Sequence, residues 1–447
     1  MNSTFLALYS FLMWLAQPFL RRKLARRSLL EPGYSKAVEE RFGRYSQPLE
    51  TLPDLVWVHA VSLGETRTAA MLIKAMREEQ PALRILLTSG TATGRAEGAG
   101  LLREGDVQVW QPWDSAAAAA RFLDHFKPRL GLLMETEVWP NIMSAASARS
   151  IPVALINGRL SEKSLKQALA ISPLSCPAFG ALAALYAQTD ADAQRFRQLG
   201  VAVTGVFGSL KFDATPDADQ QVTGKAWRQT LAQPVVMFAS SRDGEEDEFF
   251  KKISAVAKYG CTSQAIDVTA PGQLSPRWLI VPRHPQRFDE VQALAEQHGL
   301  SVSRRSNWAA GPVHSVEAMN ADVWLGDSLG EMALYYALSD IALLGGSFEK
   351  LGGQNLIEAA SCACPIVMGP HTFNFSEAAD SAQTAGAAWR VADIPDAVQL
   401  ACKVVNQSEV QLAAASAGLR FAAGSQGSTA KTLAALQPFL KLATPPR

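Results

Sequence analysis

Beyond about residue 50, short apolar runs alternate along the chain with longer segments of helical periodicity. Short continuous apolar runs bounded by Gly, Pro or small polar residues are typical of strands that are buried on both faces. Their alternation with helices predicts parallel sheets covered by helices. The predicted strands are 55–60, 85–88, 107–110, 130–134, 153–156 and 182–187, then 235–239, 279–281, 323–325, 341–344 and 366–368.

The pattern breaks in a polar stretch at 215–233, which follows Gly205, Gly208 and Pro216. A chain of 447 residues is also too long for one ordinary core. We therefore predict an amino-terminal domain at 31–214 and a carboxy-terminal domain at 215–425. Segment 1–30 precedes them, a helix or tail at 426–447 follows, and 259–276 is predicted to be a loop inserted in the second domain.

The amino terminus joins an almost wholly apolar run, residues 4–20, to a basic cluster of Arg21, Arg22, Lys23, Arg26 and Arg27. A secretory signal carries its positive charge before the apolar run, so cleavage is not expected. The run is at the short limit for a bilayer span, which needs about 20 residues. It predicts a membrane-associated helix, spanning or interfacial, whose arginines reach anionic headgroups. A core helix is the alternative.

The charge balance changes the choice of partner. Lys plus Arg and Asp plus Glu both count 42, which argues against a nucleic-acid partner.

The five cysteines are odd in number and have no paired spacing, which favours a reducing compartment. Cys362 and Cys364 lack a second ligand pair, so buried thiols are expected there rather than zinc.

Candidate chemistry lies at the ends of the predicted strands, where doubly wound sheets bind ligands. Glu65 begins a predicted helix, and it is either a general base or a carboxylate that compensates the helix dipole. Glu135 and Glu137 are two apart and would point to opposite sides if their strand continued. Lys211 could offset the charge of a ligand or could pair with Asp213.

In the second half, Arg283 follows the end of a predicted buried strand. Its guanidinium could bind a phosphate, and the sequence is equally compatible with a surface ion pair. Double glycines at 345–346 and 352–353 bracket a loop that leads into a helix, a natural phosphate seat. Asn355 and Glu358 would share one helical face, where a carboxylate can accept ribose hydroxyls. Glu331 follows Gly330 and repeats the arrangement in which a glycine loop leads into a helix.

Two D-x-D patterns raise the question of a metal, because sugar transferases use such pairs to hold divalent cations. The first pair, Asp190 and Asp192, is typical of a helix N-cap, and the second pair, Asp217 and Asp219, lies in the predicted linker. Neither pair follows a clear strand. We therefore expect neither a bound metal nor any other cofactor.

Taken in order, these residues and their neighbours resemble the Kdo transferases, which add 3-deoxy-D-manno-octulosonic acid (Kdo) to lipid A precursors. The resemblance runs from the apolar amino terminus to about residue 380, and the order of its blocks is more specific than any one of them. The blocks are 59–65, 134–141, 157–161, 208–213, 281–285, 326–331, 345–347, 352–358 and 368–375. Ser241, Arg242 and the 259–276 segment depart from the family pattern.

The resemblance implies an α/β fold of the GT-B type, with two Rossmann-like doubly wound domains facing a cleft and a membrane-associated amino-terminal helix. It implies an inverting transfer of Kdo from CMP-Kdo to a lipid A precursor, lipid IVA, in lipopolysaccharide biosynthesis at the cytoplasmic side of the inner membrane. Glu65 would be the proton acceptor, with Glu135 and Lys211 supporting the transition state and Glu137 as a possible further catalytic residue. CMP would be held by Pro282, Arg283, Leu329, Gly330, Glu331, Asn355, Leu356, Ile357 and Glu358.

Two other functions compete with this one. Another membrane-associated GT-B enzyme that uses a UDP-sugar would share most of the fold signals. A catalytically silent nucleotide-sugar-binding subunit is the second alternative, and the joint presence of Glu65, Lys211, Arg283 and Glu358 argues against it.

Overall fold

The computed structural model describes residues 3–48, 54–259 and 274–441. It divides into two compact units, Met1–Asp213 with Gln426–Arg447, and Ala214–Ser425. Most of the predicted 259–276 loop lies outside the described residues. Each unit is built on one parallel sheet, and the prediction of two doubly wound α/β domains is confirmed.

The sheet of the first unit has seven parallel strands in the order β3-β2-β1-β4-β5-β6-β7. Its central strands are buried along their whole length, which explains their continuous apolar runs. The strands are β1 (Leu55–His59), β2 (Arg84–Ser89), β3 (Val107–Trp110), β4 (Leu130–Met134), β5 (Val153–Gly158), β6 (Ala184–Ala187) and β7 (Gly205–Val206).

Helices cover both faces of this sheet. One face buries Trp57, Phe122 and Phe126, and the other buries Val58, Leu72 and Met76. The helices are α1 (Ser3–Leu15), α2 (Gln17–Leu30), α3 (Leu63–Glu79), α4 (Ala92–Ala99), α5 (Ala116–Phe126), α6 (Pro140–Ala148), α7 (Glu162–Ala170), α8 (Ser172–Gly180) and α9 (Asp190–Gln198).

The sheet of the second unit has the order β10-β11-β9-β8-β12-β13-β14, and its pairs are also parallel. The strands are β8 (Val235–Ser241), β9 (Arg277–Pro282), β10 (Val302–Arg304), β11 (Val323–Leu325), β12 (Ile341–Leu344), β13 (Ile366–Met368) and β14 (Ala388–Arg390). The helices are α10 (Ala218–Gln229), α11 (Glu245–Tyr259), α12 (Phe288–Gln297), α13 (Val316–Asn320), α14 (Met332–Leu338), α15 (Ile357–Ser361), α16 (Ser376–Thr384), α17 (Ile394–Val405) and α18 (Ser408–Ser425).

The last helix, α19 (Ser428–Lys441), returns to the first unit. Leu433, Leu436 and Leu440 are buried there against α3 and the first sheet. The Asp213 carboxylate accepts hydrogen bonds from the backbone amides of Gly427 (2.7 Å) and Thr429 at the start of this helix. The carboxy-terminal segment is therefore part of the first unit's core.

The amino terminus forms two helices, α1 and α2, which meet at Ala16. The Ser10 hydroxyl lies 2.7 Å from Asn141 Oδ1, and Leu24 is buried with Tyr34 and Trp110. Phe11, Trp14 and Phe19 are nevertheless 55%, 61% and 68% exposed, so the apolar side chains that drove the prediction are mostly uncovered. Within the described residues, no helix is both long enough and apolar enough to span a membrane.

Candidate active site

The switch point of the first sheet lies between β1 and β4, where the strand order reverses direction. Ligands of open α/β sheets bind beyond the carboxyl ends of such strands. Glu65 follows β1 at this edge, and Glu135 and Glu137 follow β4. The fold therefore brings together three carboxyl groups from separate sequence blocks.

Glu65 lies in the first turn of α3, whose N-cap is Ser62. Its Oε2 atom accepts from the Val61 amide at 3.0 Å, and its Oε1 atom accepts from the Ser62 hydroxyl at 2.9 Å. The predicted helix-start role is thus present. Burial raises the pKa of Glu65, and the nearby Glu135 carboxylate raises this pKa further. A carboxylate with a raised pKa is also a better proton acceptor, so the two roles are compatible.

The loop after β2 is hydrogen-bonded to the loop between β1 and α3, which leads to Glu65. The amides of Gly90 and Thr91 donate to the Val61 carbonyl at 3.0 and 2.9 Å. Arg41 Nη2 in turn donates to the Gly90 carbonyl at 2.8 Å. A Cβ atom on Gly90 would come within 2.6 Å of Val61 Cγ1, so only glycine fits there. Arg41 was missed in the sequence because its contact depends on tertiary structure.

Glu135 is the first residue after β4 and has the left-handed conformation, with φ at 57°. The strand therefore does not continue, and the condition for the predicted separation of Glu135 and Glu137 to opposite sides is not met. The Glu135 charge raises the pKa of both Glu65 and Glu137, so the three carboxyl groups are electrostatic neighbours. Glu135 Oε1 pairs with Lys211 Nζ at 2.8 Å. Asp213, the alternative partner considered for Lys211, accepts hydrogen bonds at the start of α19.

Glu137 is the most perturbed acid of this group. Burial raises its pKa to about 7, and the charges of Glu65 and Glu135 contribute in the same direction. Trp139 Nε1 donates to Glu137 Oε2 at 3.0 Å, which offsets part of the rise. A carboxyl group with this pKa can hold or release a proton near neutral pH.

Asn157 begins one of the matching sequence blocks but was given no role there. It is the next-to-last residue of β5 and has a φ of 53°, and its Oδ1 atom accepts from the Leu210 amide at 3.0 Å. It thereby fixes the 3-10 helix Leu210–Asp213 that carries Lys211. Asparagine tolerates the left-handed region, which is the one sequence signal for this role.

In the second unit, β9 ends at the buried Pro282, and Arg283 follows as an exposed residue. Burial raises the pKa of Glu358, and the Arg283 charge lowers it, so these two predicted residues are electrostatic neighbours. Helix α15 begins only at Ile357, which corrects the predicted shared helical face of Asn355 and Glu358. Asn355 lies before the helix, and its Oδ1 atom accepts from the Ile357 amide at 3.1 Å.

The remaining residues that were predicted to hold CMP differ in their solvent exposure. Leu356 and Ile357 are buried in the core, with 0% and 1% of their surface exposed. Leu329 is 76% exposed, and Gly330 has a φ of +79° in the turn before α14. The Glu331 carboxylate accepts from Arg305 Nη2 at 3.0 Å and from the Ser328 hydroxyl.

Glu245 organises the glycine loop after β12 and was also missed in the sequence. Its fully buried carboxylate accepts from the Gly346 amide at 2.8 Å, the Phe348 amide at 3.3 Å and the Arg242 amide at 3.0 Å. It therefore joins the ends of β8 and β12. Only the adjacency of these two strands, which are far apart in sequence, reveals that role.

Both D-x-D pairs lie at helix starts. Thr189, not Asp190, is the N-cap of α9, and Asp192 accepts from the Leu160 amide at 2.8 Å. Asp217 caps α10, so this pair belongs to a helix rather than to a linker. Among the residues described, no group of three or more His, Cys, Asp or Glu side chains could hold a metal ion. Cys362 and Cys364 are buried free thiols, as predicted.

Comparisons with known proteins bear on the family of the chain. The family model described as 3-deoxy-D-manno-octulosonic-acid transferase matches residues 36–214. A 3-deoxy-D-manno-octulosonic acid transferase of Bordetella pertussis is 44% identical over 407 residues, which cover 90% of this chain and 91% of that protein. The protein of the same name from Haemophilus influenzae is 29% identical and covers 97% and 98% of the two chains.

Solved structures support the fold at low sequence identity. A glycosyltransferase from Rickettsia africae has a TM-score of 0.55 at 10% identity and covers 88% of this chain and all of that one. A UDP-GlcNAc 2-epimerase from Neisseria meningitidis has a TM-score of 0.56 at 14% identity, with 86% and 100% covered. Since this fold serves more than one reaction, the sequence relatives decide the family. The chain belongs to the family of 3-deoxy-D-manno-octulosonic acid transferases.

Proposed function

We propose that this chain transfers Kdo from CMP-Kdo to the disaccharide of a lipid A precursor, with inversion at the anomeric carbon. The observation that carries the proposal is the 44% identity to a Kdo transferase over nine-tenths of the chain, since it spans both units. The carboxylates at the switch point of the first sheet supply the chemistry that such a transfer needs. The UDP-sugar alternative has no comparable support.

The acceptor is a sugar hydroxyl, which is a poor nucleophile until a base removes its proton. Glu65 is the proposed base, because it is part-buried and its pKa is raised. The ion pair of Glu135 and Lys211 holds a cation beside this carboxylate and is proposed to stabilise charge that develops during transfer. Glu137 is proposed to take part in the proton balance of the cluster.

The second unit is proposed to hold the donor. Arg283 would bind the phosphate, and Glu358 would accept the ribose hydroxyls, in agreement with their electrostatic proximity. Pro282, Leu329, Gly330, Glu331, Asn355, Leu356 and Ile357 would complete the nucleotide site. CMP leaves with its own negative charge, and the proposed mechanism requires no metal or other cofactor.

The site of action is proposed to be the cytoplasmic face of the inner membrane. The acceptor carries acyl chains, so the enzyme must reach a lipid surface. The exposed apolar side chains of α1 and α2, next to Arg22, Lys23 and Arg26, are suited to an interface with anionic lipids.

Nucleotide binding tests the proposed donor. CMP should raise the melting temperature of the purified protein, and UDP at the same concentration should not. Arg283→Ala should weaken CMP binding in calorimetry by about 1.5–3 kcal/mol, the range of a hydrogen bond to a charged group. Protection by UDP alone would favour a UDP-sugar transferase and contradict the proposal.

A further inference from the structure

The switch point of the second sheet lies between β8 and β12, since the chain continues from β8 to β9 on one side of the sheet and from β12 to β13 on the other. This is the position at which open α/β sheets bind their ligands. Arg242 follows β8 directly, and Gly345 and Gly346 follow β12. Arg242 has no role in the Kdo transfer proposed above.

The local backbone directs Arg242 into this position. Ser240 has a φ of 55°, and the pairing of β8 with β9 shifts register between Ala239 and Ser241. Such irregularities re-aim the side chains that follow them. A Cβ atom added to Gly346 would lie 3.7 Å from Arg242 Cγ, so the arginine side chain passes directly beside the glycine loop.

The hydrogen bonding of Arg242 leaves its positive charge without a counter-charge. Its Nη1 atom lies 2.6 Å from His284 Nε2. Since a guanidinium can only donate, His284 Nε2 is the acceptor and the ring carries its proton on Nδ1. Burial and the charges of Arg242, Arg283 and Arg287 lower the pKa of His284, which is consistent with a neutral imidazole.

Arg287, unlike Arg242, has several carboxylate partners. It pairs with Glu246 at 2.9 Å, with Glu290 at 2.9 Å and with Asp243 at 3.4 Å. Across residues 3–48, 54–259 and 274–441, no carboxylate lies within ion-pair distance of Arg242, which is half-buried. The Nε atom of Arg242 is buried with no hydrogen-bond partner. Such a cation is poorly compensated unless an anion binds beside it.

We propose that Arg242, with the neutral His284 beside it, directly contacts an oxyanion of the donor, either its phosphate or the carboxylate of its acidic sugar. The inference rests on the proposed function and adds a specificity residue to it. A guanidinium matches the planar, bidentate geometry of both groups.

The test uses Arg242→Met, which removes the charge and keeps much of the side-chain length, and Arg242→Lys, which keeps the charge. Calorimetry measures CMP and cytidine affinity, and steady-state kinetics measures KM for CMP-Kdo. Loss of a charge-assisted contact should cost about 10- to 100-fold. If the phosphate is the partner, Arg242→Met weakens CMP binding by this factor and leaves cytidine binding unchanged. If the carboxylate is the partner, CMP binding is unchanged and KM for CMP-Kdo rises instead.

Arg149→Met is the matched control, because Arg149 follows α6 in the first unit and its ion-pair partner Asp124 is exposed. It should change neither quantity. Should Arg242→Met fail to fold by its melting profile, Arg242→Gln replaces it. CMP affinity and KM within twofold of wild type in the folded variants would overturn the assignment. Wild-type protein that fails to bind CMP would instead contradict the proposed function itself.

Discussion

Glu65 combines a structural role with a proposed chemical one. Its carboxylate accepts hydrogen bonds from Val61 and Ser62, which fix the start of α3, and the same group is the proposed base. Glu135 and Glu137 show a different relation between sequence and site. Their types and positions could be predicted, but their geometry could not, because alternation assumes a continuing strand and Glu135 leaves the strand at a positive φ.

Glu65→Gln separates the two roles of this residue. Glutamine keeps the shape and still accepts through its carbonyl oxygen, but it cannot take a proton. We expect Kdo transfer to fall by at least about 10²-fold, the low end for general-base catalysis, with CMP affinity unchanged. Glu162→Gln, in the first turn of α7, is the control and should remain active. Near-normal turnover in folded Glu65→Gln protein would remove Glu65 from the mechanism.

Glu137 predicts a pH dependence of stability. Its folded pKa of about 7 exceeds the value of about 4.3 expected in the unfolded chain, so the folded state binds the proton more tightly. The resulting stability is present below about pH 4.3 and is lost as the pH rises to about 7. Glu137→Gln never ionises, so its melting temperature relative to wild type should increase between pH 5 and pH 8. The same difference at both pH values would contradict the raised pKa.

At the scale of elements, the central strands could be predicted because double-sided burial leaves continuous apolar runs. Strands β7, β10 and β14 are short and lie at or next to the sheet edges, so they have no such run and were missed. The return of α19 to the first unit could not be predicted either, since the partners of its apolar face are distant in sequence. Contacts such as Arg41 with Gly90 and Glu245 with Gly346 were hidden for the same reason.

The amino-terminal helices predict a surface that can be tested without disturbing the fold. Replacing the exposed Phe11, Trp14 and Phe19 by serine should release the protein from membrane vesicles in a sedimentation assay, because these side chains pack little against the first unit. Val222→Ser and Val316→Ser alter similarly exposed apolar residues of the second unit and should not release it. Unchanged sedimentation of the triple variant would locate the membrane contact elsewhere.

At the scale of the whole molecule, each unit places its candidate residues in the loops that follow the carboxyl ends of its own strands. The first unit contributes a carboxylate cluster with one lysine, and the second contributes arginines and glycine loops. This division of charge suits an acceptor that must lose a proton and a donor that is anionic. Fold likeness alone could not have made this assignment, because an epimerase shares the fold.

The proposed mechanism makes a whole-enzyme prediction about metal. Its charges are handled by Lys211, Arg283 and backbone amides, so Kdo transfer should continue in excess EDTA. The control is a metal-dependent sugar transferase assayed in the same buffer, which should stop. Loss of transfer that magnesium or manganese restores would contradict this part of the account.

Product analysis tests the central claim most directly. The purified protein is incubated with CMP-Kdo and a tetraacyl disaccharide lipid A precursor, and the lipid is analysed by mass spectrometry. The account predicts a lipid heavier by at least one Kdo residue, formed with release of CMP and nearly abolished in Glu65→Gln. A folded wild-type protein that leaves the lipid mass unchanged, while it transfers a sugar from a UDP donor, would contradict it.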